Sequence, residues 1–336
     1  MNALKIAIVG ANYMTAQQHL PVLALFDDVK IVGVCDIIED RAQALAGRYN
    51  VKNYYANHKK MLDELKPDAV WLIVPTTVVF DMVMDALERK IDVFIEKPAG
   101  LTTYQTKVMA AFAEKQQAMT AVAFQRRYHP TILNLRQKVV EIAPLNNVRV
   151  DFYKNSRSAS GFPPNFRGAI EMLRCESIHA VDLTRFLAGL SEVKTVKATI
   201  ENFDCGYDAA YFASVEFENN IVGTFNINWR TARRFFKVEM HAPGASAFID
   251  INKGGELWSA EGDEPLFVSE RIPRINNSEG DSFEQGFYGE NRAFVDAIKS
   301  RKQVHNNLRD AVKTMELVDK VYLSNGITPA ACLTFL

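Results

Sequence analysis

Five short runs rich in Val and Ile, at residues 5–9, 30–35, 69–74, 92–95 and 119–123, recur through the first third of the chain. Stretches with helical spacing lie between them, at residues 17–26, 41–49, 58–65, 77–89 and 103–115. Strands buried on both faces read as near-continuous apolar runs, not as alternating ones. Strand and helix in strict alternation pack only as a parallel sheet with helices on both sides, joined by right-handed crossovers. The chain therefore opens with a doubly wound α/β sheet.

After Phe124 the pattern changes. Residues 148–153, 193–200, 210–217, 221–229, 235–241 and 247–251 alternate or run β-branched, and Glu218-Asn219-Asn220 is a tight turn between two of them. This half reads as a mostly antiparallel open sheet carrying one prominent helix, residues 171–188, stopped by Gly189. Residues 290–299 and 308–324 are amphipathic helices, and 261–289 reads as a charged surface loop. The expected domains are a dinucleotide-binding unit over residues 1–124 and an α+β unit for substrate binding and oligomerisation over 125–336.

Composition narrows the function. With 39 basic and 40 acidic residues the formal charge is −1, which offers no electrostatic capture of nucleic acid or of an anionic membrane. Cys35, Cys175, Cys205 and Cys332 are scattered without a CxxC pair, as in a protein of the reducing cytoplasm. No signal-like segment and no membrane-length apolar run is visible. Metal chemistry is not expected, because no HExxH or similar spacing occurs.

The first strand runs into Gly10-Ala11-Asn12-Tyr13-Met14-Thr15 and then into helical sequence. A dinucleotide fingerprint has glycine at the positions of Gly10, Asn12 and Thr15, for the tight turn, the pyrophosphate approach and the helix packing. Only Gly10 keeps it; Asn12 tolerates left-handed angles better than most residues, and Thr15 is small. Asp36 ends the second strand about 20 residues further on, where a carboxylate binds ribose hydroxyls and repels a 2′-phosphate. That favours NAD over NADP; the other reading of Asp36 is a cap on the next helix.

The fourth strand ends in Val74-Pro75-Thr76 and the fifth in Glu96-Lys97-Pro98, at the strand ends where open α/β sheets bind ligands. His19-Leu20-Pro21 follows the loop by two helical turns. Together these stretches resemble the Gfo/Idh/MocA family of nicotinamide-dependent sugar and polyol dehydrogenases, along nearly the whole chain. The resemblance implies that Gly10, Asn12, Tyr13, Met14, Asp36, Pro75, Thr76, Glu96, Lys97 and Pro98 contact the cofactor. It further implies a homodimer or homotetramer. Members often carry histidine at the position of Val79.

In the family, the lysine of the EKP segment works with an Asp-x-x-x-His pair on a helix of the second domain. Hydride leaves a carbinol carbon only as its hydroxyl loses a proton, so a base must touch that oxygen and a cation should steady the alkoxide. Lys97 matches the cation and His179 the base. Cys175 stands at the aspartate position, and Ala169-Ile170-Glu171-Met172 replaces the usual glycines. On one continuous helix Glu171, Cys175, His179 and Asp182 would share a face, and Glu176 would reach His179 at i,i+3. Glu171 or Glu176 is therefore expected to stand in for the aspartate. The simpler reading of His179 is a helix histidine bonded to Glu176 or Asp182.

Arg126-Arg127-Tyr128-His129-Pro130 reads either as substrate contacts through Arg126 and Tyr128 or as a solvated basic turn. Asn165-Phe166-Arg167 resembles an aromatic–arginine pair before the catalytic helix, which makes Arg167, with Asp182, a substrate candidate. Trp229-Arg230 and Arg233-Arg234 are rim residues or plain surface. The expected activity is hydride transfer between a sugar, polyol or related hydroxy compound and the nicotinamide. A catalytically impaired sensor or partner-binding protein is the alternative, supported by the changes at Asn12, Thr15 and Cys175. A transferase or lyase using NAD transiently also stays open.

Overall fold

In the computed structural model, residues 3–155, 172–204, 207–270 and 285–328 are described. They form two compact units, residues 3–125 with 285–313 and residues 126–270 with 314–328.

The first unit is built on six parallel strands: β1 (Leu4–Val9), β2 (Val29–Cys35), β3 (Tyr54–Tyr55), β4 (Ala69–Leu72), β5 (Asp92–Ile95) and β6 (Thr120–Val122). Their order, β3-β2-β1-β4-β5-β6, reverses direction between β1 and β4, which is the switch point of a Rossmann sheet. β4 and β5 are buried at every residue, as strands covered on both faces must be. The helices are α1 (Leu20–Leu23), entered through a π-helical turn Thr15–His19, then α2 (Glu39–Arg48), α3 (His58–Leu65), α4 (Thr76–Glu88) and α5 (Thr103–Gln116). Asn57 and Thr102 cap α3 and α5 by accepting the amides of Lys60 and Gln105.

The core gathers Ile6, Ile8, Trp71 and Phe94 with Phe294 and Val295. The last two belong to a late helix, Phe287–Ser300, so this unit includes chain from beyond residue 285. Arg292 donates to Asp28 Oδ1 at 2.8 Å and Lys299 bonds the same carboxylate, which holds the Asp28 carboxyl well below the usual carboxylate range.

The second unit starts within the helical turn Gln125–Tyr128, at Arg126, and continues into α6 (Pro130–Ile142). β7 (Asn147–Asn155), α7 (Met172–Cys175) and α8 (Ile178–Leu187) follow, and then β8 (Val193–Glu201), β9 (Ala210–Phe217) and β10 (Val222–Asn228). β11 (Arg230–Ala242), β12 (Ala245–Asp250), β13 (Gly254–Ser259) and β14 (Phe267–Glu270) complete an eight-stranded sheet of order β14-β13-β12-β11-β7-β10-β9-β8. Among the described residues of this sheet only β7 and β10 pair in parallel. α8 packs on β7 and β10, and α6 on β11 to β13. Val148, Val150 and Phe152 on β7 are buried on that side, whereas Arg149 and Tyr153 on the other face are half exposed. Gly223 lets α8 approach closely, since a Cβ there would lie 2.6 Å from Thr184 Cγ2. α9 (Phe287–Ser300) and α10 (Leu308–Ser324) end the described chain, and the division between units falls within α10.

Several local expectations need correction. The helix expected over 171–188 is two helices, α7 and α8, with Glu176-Ser177 turning between them; Ser177 donates its amide to Met172 O, five residues back, which breaks the regular ladder. Residues 261–289 are not all loop, because they contain β14 and the start of α9. Helix α6 and strand β3 are additions that the apolar spacing did not show. Gly189 does end α8, at φ +76°. Among the described residues no helix is long and apolar enough to cross a membrane.

Candidate active site

Gly10 closes the turn after β1 at φ +100°, donating to Cys35 O at 2.7 Å. A Cβ at this position would sit 2.0 Å from Ile73 O, so only glycine fits. Asn12 does two jobs. Its Nδ2 donates to Ile73 O at 2.6 Å, which ties the loop after β1 to the loop after β4 across the switch point. Its Oδ1 accepts from Met14 N at 2.9 Å and Thr15 N at 3.3 Å, while its carbonyl accepts from Ala16 N. Asn12 is thus the N-cap of the following helix. Thr15, fully buried, donates its hydroxyl to Gly10 O and packs where a glycine was expected.

Asp36 leans into the same loop. Oδ2 accepts from Ala11 N at 2.8 Å, and Oδ1 accepts from Ile38 N at 2.9 Å, so the carboxylate both meets the glycine turn and caps the chain leading into α2. Its neighbour Cys35 is buried, and burial together with the Asp36 charge pushes the thiol up to about 12, leaving it inert. The amides of Asn12 and Tyr13 make no hydrogen bond to the described residues. These two amides at a helix start, a glycine cradle and a carboxylate at the end of the neighbouring strand fit a dinucleotide. Met14 is half buried behind the loop, and Tyr13 stands 70 % exposed. Pro75 is exposed at the start of α4, and Thr76 and Val79 are buried in its first turns.

Lys97 lies two residues beyond the end of β5. Glu96 Oε2 accepts the Lys97 amide at 3.0 Å, and Glu96 Oε1 lies 3.1 Å from His19 Nε2. His19 is fully buried, with Phe94 and Phe287 edge-on to its ring, and its Nδ1 is 3.2 Å from Asn291 Nδ2. Asn291 Oδ1 in turn accepts from Trp71 Nε1 at 2.8 Å. Buried polar groups must be paired, and this chain of four pairs them from α9 to the segment that presents Lys97. The Lys97–Pro98 peptide is cis, and Pro98 is buried. His19 was visible in sequence only as part of a familiar tripeptide; its bond to Glu96 gives it a role. Nothing in the sequence pointed to Asn291.

The second unit places His179 in the first turn of α8 and Cys175 at the end of α7, both half buried. The chain turns at Glu176-Ser177, so Cys175, His179 and Asp182 do not lie on the one continuous helix expected; Glu171 and Arg167 lie outside the described residues. Glu176, in the turn, accepts from Lys154 Nζ at 3.4 Å. Asp182 is 1 % exposed and paired with Arg127, at 2.8 Å from Nε, and with the Thr314 hydroxyl at 2.8 Å. That ion pair commits Asp182 to the interior, so a substrate role for it has no geometric support. The arginine segment is no solvated turn either: Arg126 is 5 % and Arg127 0 % exposed, with Tyr128 half buried. Arg126 lies over the Phe236 ring, 5.1 Å from its centroid. Among the described residues no group of three or more His, Cys, Asp or Glu side chains is placed to hold a metal.

Comparison with known proteins joins these features. A family model described as the oxidoreductase family with NAD-binding Rossmann fold matches residues 4–124, and the GFO/IDH/MocA C-terminal domain matches 145–247. D-glucoside 3-dehydrogenase of Escherichia coli (strain K12) is 28 % identical over 205 residues, covering 58 % of this chain and 57 % of that protein. The scyllo-inositol 2-dehydrogenase (NAD(+)) of Bacillus subtilis (strain 168) is 24 % identical over 197 residues, covering 57 % and 56 %. The match therefore spans a little over half the length of these curated relatives. A dehydrogenase structure from Chromobacterium violaceum shares the fold, with TM-score 0.84, 19 % identity and 97 % coverage of both chains. The chain belongs to the Gfo/Idh/MocA family of oxidoreductases.

Proposed function

We propose that this chain is an NAD-preferring oxidoreductase that moves hydride between a sugar, polyol or related hydroxy compound and the nicotinamide. The observation that carries the reading is the anchored Lys97. It leaves β5, in the same sheet as the cofactor loop, and the buried His19–Glu96 pair fixes the backbone that presents it.

Asp36, held against the Ala11 amide, would bind ribose hydroxyls, and the same negative charge disfavours a 2′-phosphate. The amides of Asn12 and Tyr13 would take the pyrophosphate. Bound nicotinamide supplies the hydride acceptor. Lys97 is assigned to steady the developing alkoxide, and His179 to take the hydroxyl proton. A cysteine at 175 cannot hold the imidazole as a carboxylate does, and Glu176, three residues before His179 and bonded by Lys154, is assigned that part. The face of the eight-stranded sheet that no described helix covers, with Phe248 and Val268 exposed on its strands, supports self-association as a dimer or tetramer. Cys35 and Cys175 as free thiols suit the cytoplasm.

The test is a titration of cofactor-free protein with NADH and NADPH, read by energy transfer from tryptophan to nicotinamide. NADH is expected to bind more tightly than NADPH. Asp36→Ala should weaken NADH about tenfold, a charge-assisted hydrogen-bond loss of about 1.5 kcal/mol, and narrow the gap to NADPH. Binding of neither nucleotide sinks this reading in favour of a sensor or partner-binding protein.

A further inference from the structure

Three aromatic rings form a contiguous floor on the helix-covered side of the second sheet. Phe152 of β7 lies 5.2 Å from Phe236 of β11 and 6.3 Å from Trp229, between ring centroids. All three are buried, at 1–3 % exposure. Each ring carries a cation. The Arg126 guanidinium is 5.1 Å from the Phe236 centroid, Arg234 is 5.9 Å from Phe152, and Lys154 Nζ is 4.4 Å from Trp229.

The row adjoins the turn that leads into His179. Trp229 Nε1 donates to Ser177 Oγ at 2.9 Å, and Lys154 reaches Glu176 at 3.4 Å. The register of β11 against β7 shifts between Arg230 and Phe235, and this bulge sets Arg230, Arg233 and Arg234 at the strand entrance. All three are exposed, and none has a carboxylate partner among the described residues.

Two physical points decide what such a row receives. A platform for a neutral sugar exposes an aromatic face to the sugar's C–H groups, but these rings are buried beneath their own cations. Lys154 already shares its charge with Glu176, but the Arg126 and Arg234 guanidiniums lie over neighbouring rings of one low-dielectric floor and repel each other, and an incoming anion relieves that repulsion. Arginine further offers a planar fork matched to carboxylate and phosphate.

We propose that the row of Arg126, Arg234 and Lys154 binds an anionic group of the substrate, so that the hydroxy compound is a sugar acid or a sugar phosphate. This rests on the dehydrogenase reading for the word substrate; the anion site itself stands on the second unit alone.

Calorimetric titration of the full chain, with and without NADH, would use D-glucose, D-glucuronate and D-glucose 6-phosphate as probes, at low and at high salt. At least one anionic probe is expected to bind about tenfold or more tighter than glucose, and to weaken as salt rises. Preference for glucuronate identifies a sugar acid, and preference for the phosphate a sugar phosphate. Arg234→Ala, at an exposed position, and Lys154→Gln should each cost about tenfold in that affinity. Lys237→Ala, on the opposite face of β11, should leave it unchanged. Glucose binding as tightly as both anions, silence from both anions, or indifference to Arg234→Ala each overturns the proposal. Anion binding by a protein that ignores NADH removes the dehydrogenase reading and keeps the site. NADH binding with turnover of neutral sugars alone does the reverse.

Discussion

His19 shows how one side chain can set the geometry of a site it never enters. Its two ring nitrogens face Glu96 and Asn291; the ring and Asn291 are fully buried, and Glu96 is half buried. Removing the ring takes a partner from Glu96 Oε1 and leaves one N–H of Asn291 unpaired, its Nδ2 still donating to Phe287 O at 2.7 Å, and an unsatisfied buried group costs about 1–3 kcal/mol. His19→Ala is therefore expected to lose about 2–4 kcal/mol in urea unfolding, and to lower turnover more than NADH affinity, because Lys97 loses its fixed backbone. An unchanged urea midpoint would show that the network contributes nothing. Asn12 makes the complementary point. As a glycine replacement it reads as damage to a phosphate loop, yet its carboxamide caps the helix and pins the neighbouring loop through Ile73. Residue type alone hides such a role, since it depends on a carbonyl 61 positions away.

Elements were legible where burial alone dictates the pattern. β5, α3, β9 and α10 match the spacing of the sequence to the residue, since a strand covered on both faces, a capped amphipathic helix and a clean alternation each leave one reading. α6 was missed because it begins at Pro130, directly after a run of charged and aromatic residues that resembles a turn. The break between α7 and α8 was equally invisible: MLRCESIHAVDL keeps helical spacing throughout, and the interruption comes from tertiary contacts such as Trp229 with Ser177. The carboxylate partner inferred from that spacing presumed one continuous helix; Glu176 instead sits in the turn, and Glu171 lies outside the described residues. The loop after β1 is the element whose fate tests the site most directly. Gly10→Ala puts a methyl group 2.0 Å from Ile73 O at a φ of +100°, so the loop must move. A loss of about 2–4 kcal/mol in stability and of all measurable NADH binding is expected. A variant that binds NADH like the wild type would mean that this turn does not cradle the cofactor.

Across the whole molecule, periodicity tells that residues 290–299 are helical but not which sheet they cover; α9 joins the first unit through Trp71, Asp28 and His19, all far upstream. Net charge was legible from the start, and it has a consequence for stability. At a formal charge of −1 there is little global repulsion, so the acid limb should be governed by individual buried groups. His129 is the clearest of these. It precedes α6 at 1 % exposure, and burial, helped by the nearby Arg126 charge, depresses its imidazole to about 3. An unfolded chain binds this proton below about pH 6.5 and the folded chain does not, so acidification favours unfolding throughout that interval. The slope reaches about 1.4 kcal/mol per pH unit from this group alone. Asp28, whose carboxyl is held low by Arg292 and Lys299, adds a loss of the same sign only once pH falls below the ordinary carboxylate range. The melting temperature is therefore expected to fall between about pH 6.5 and pH 4, before Asp28 contributes. His129→Asn, which cannot take up a proton, should flatten that stretch while leaving the steeper fall at lower pH. Parallel curves for wild type and variant would assign the acid sensitivity to other groups. A flat wild-type curve would mean that His129 gains a proton in the folded state without disturbing it.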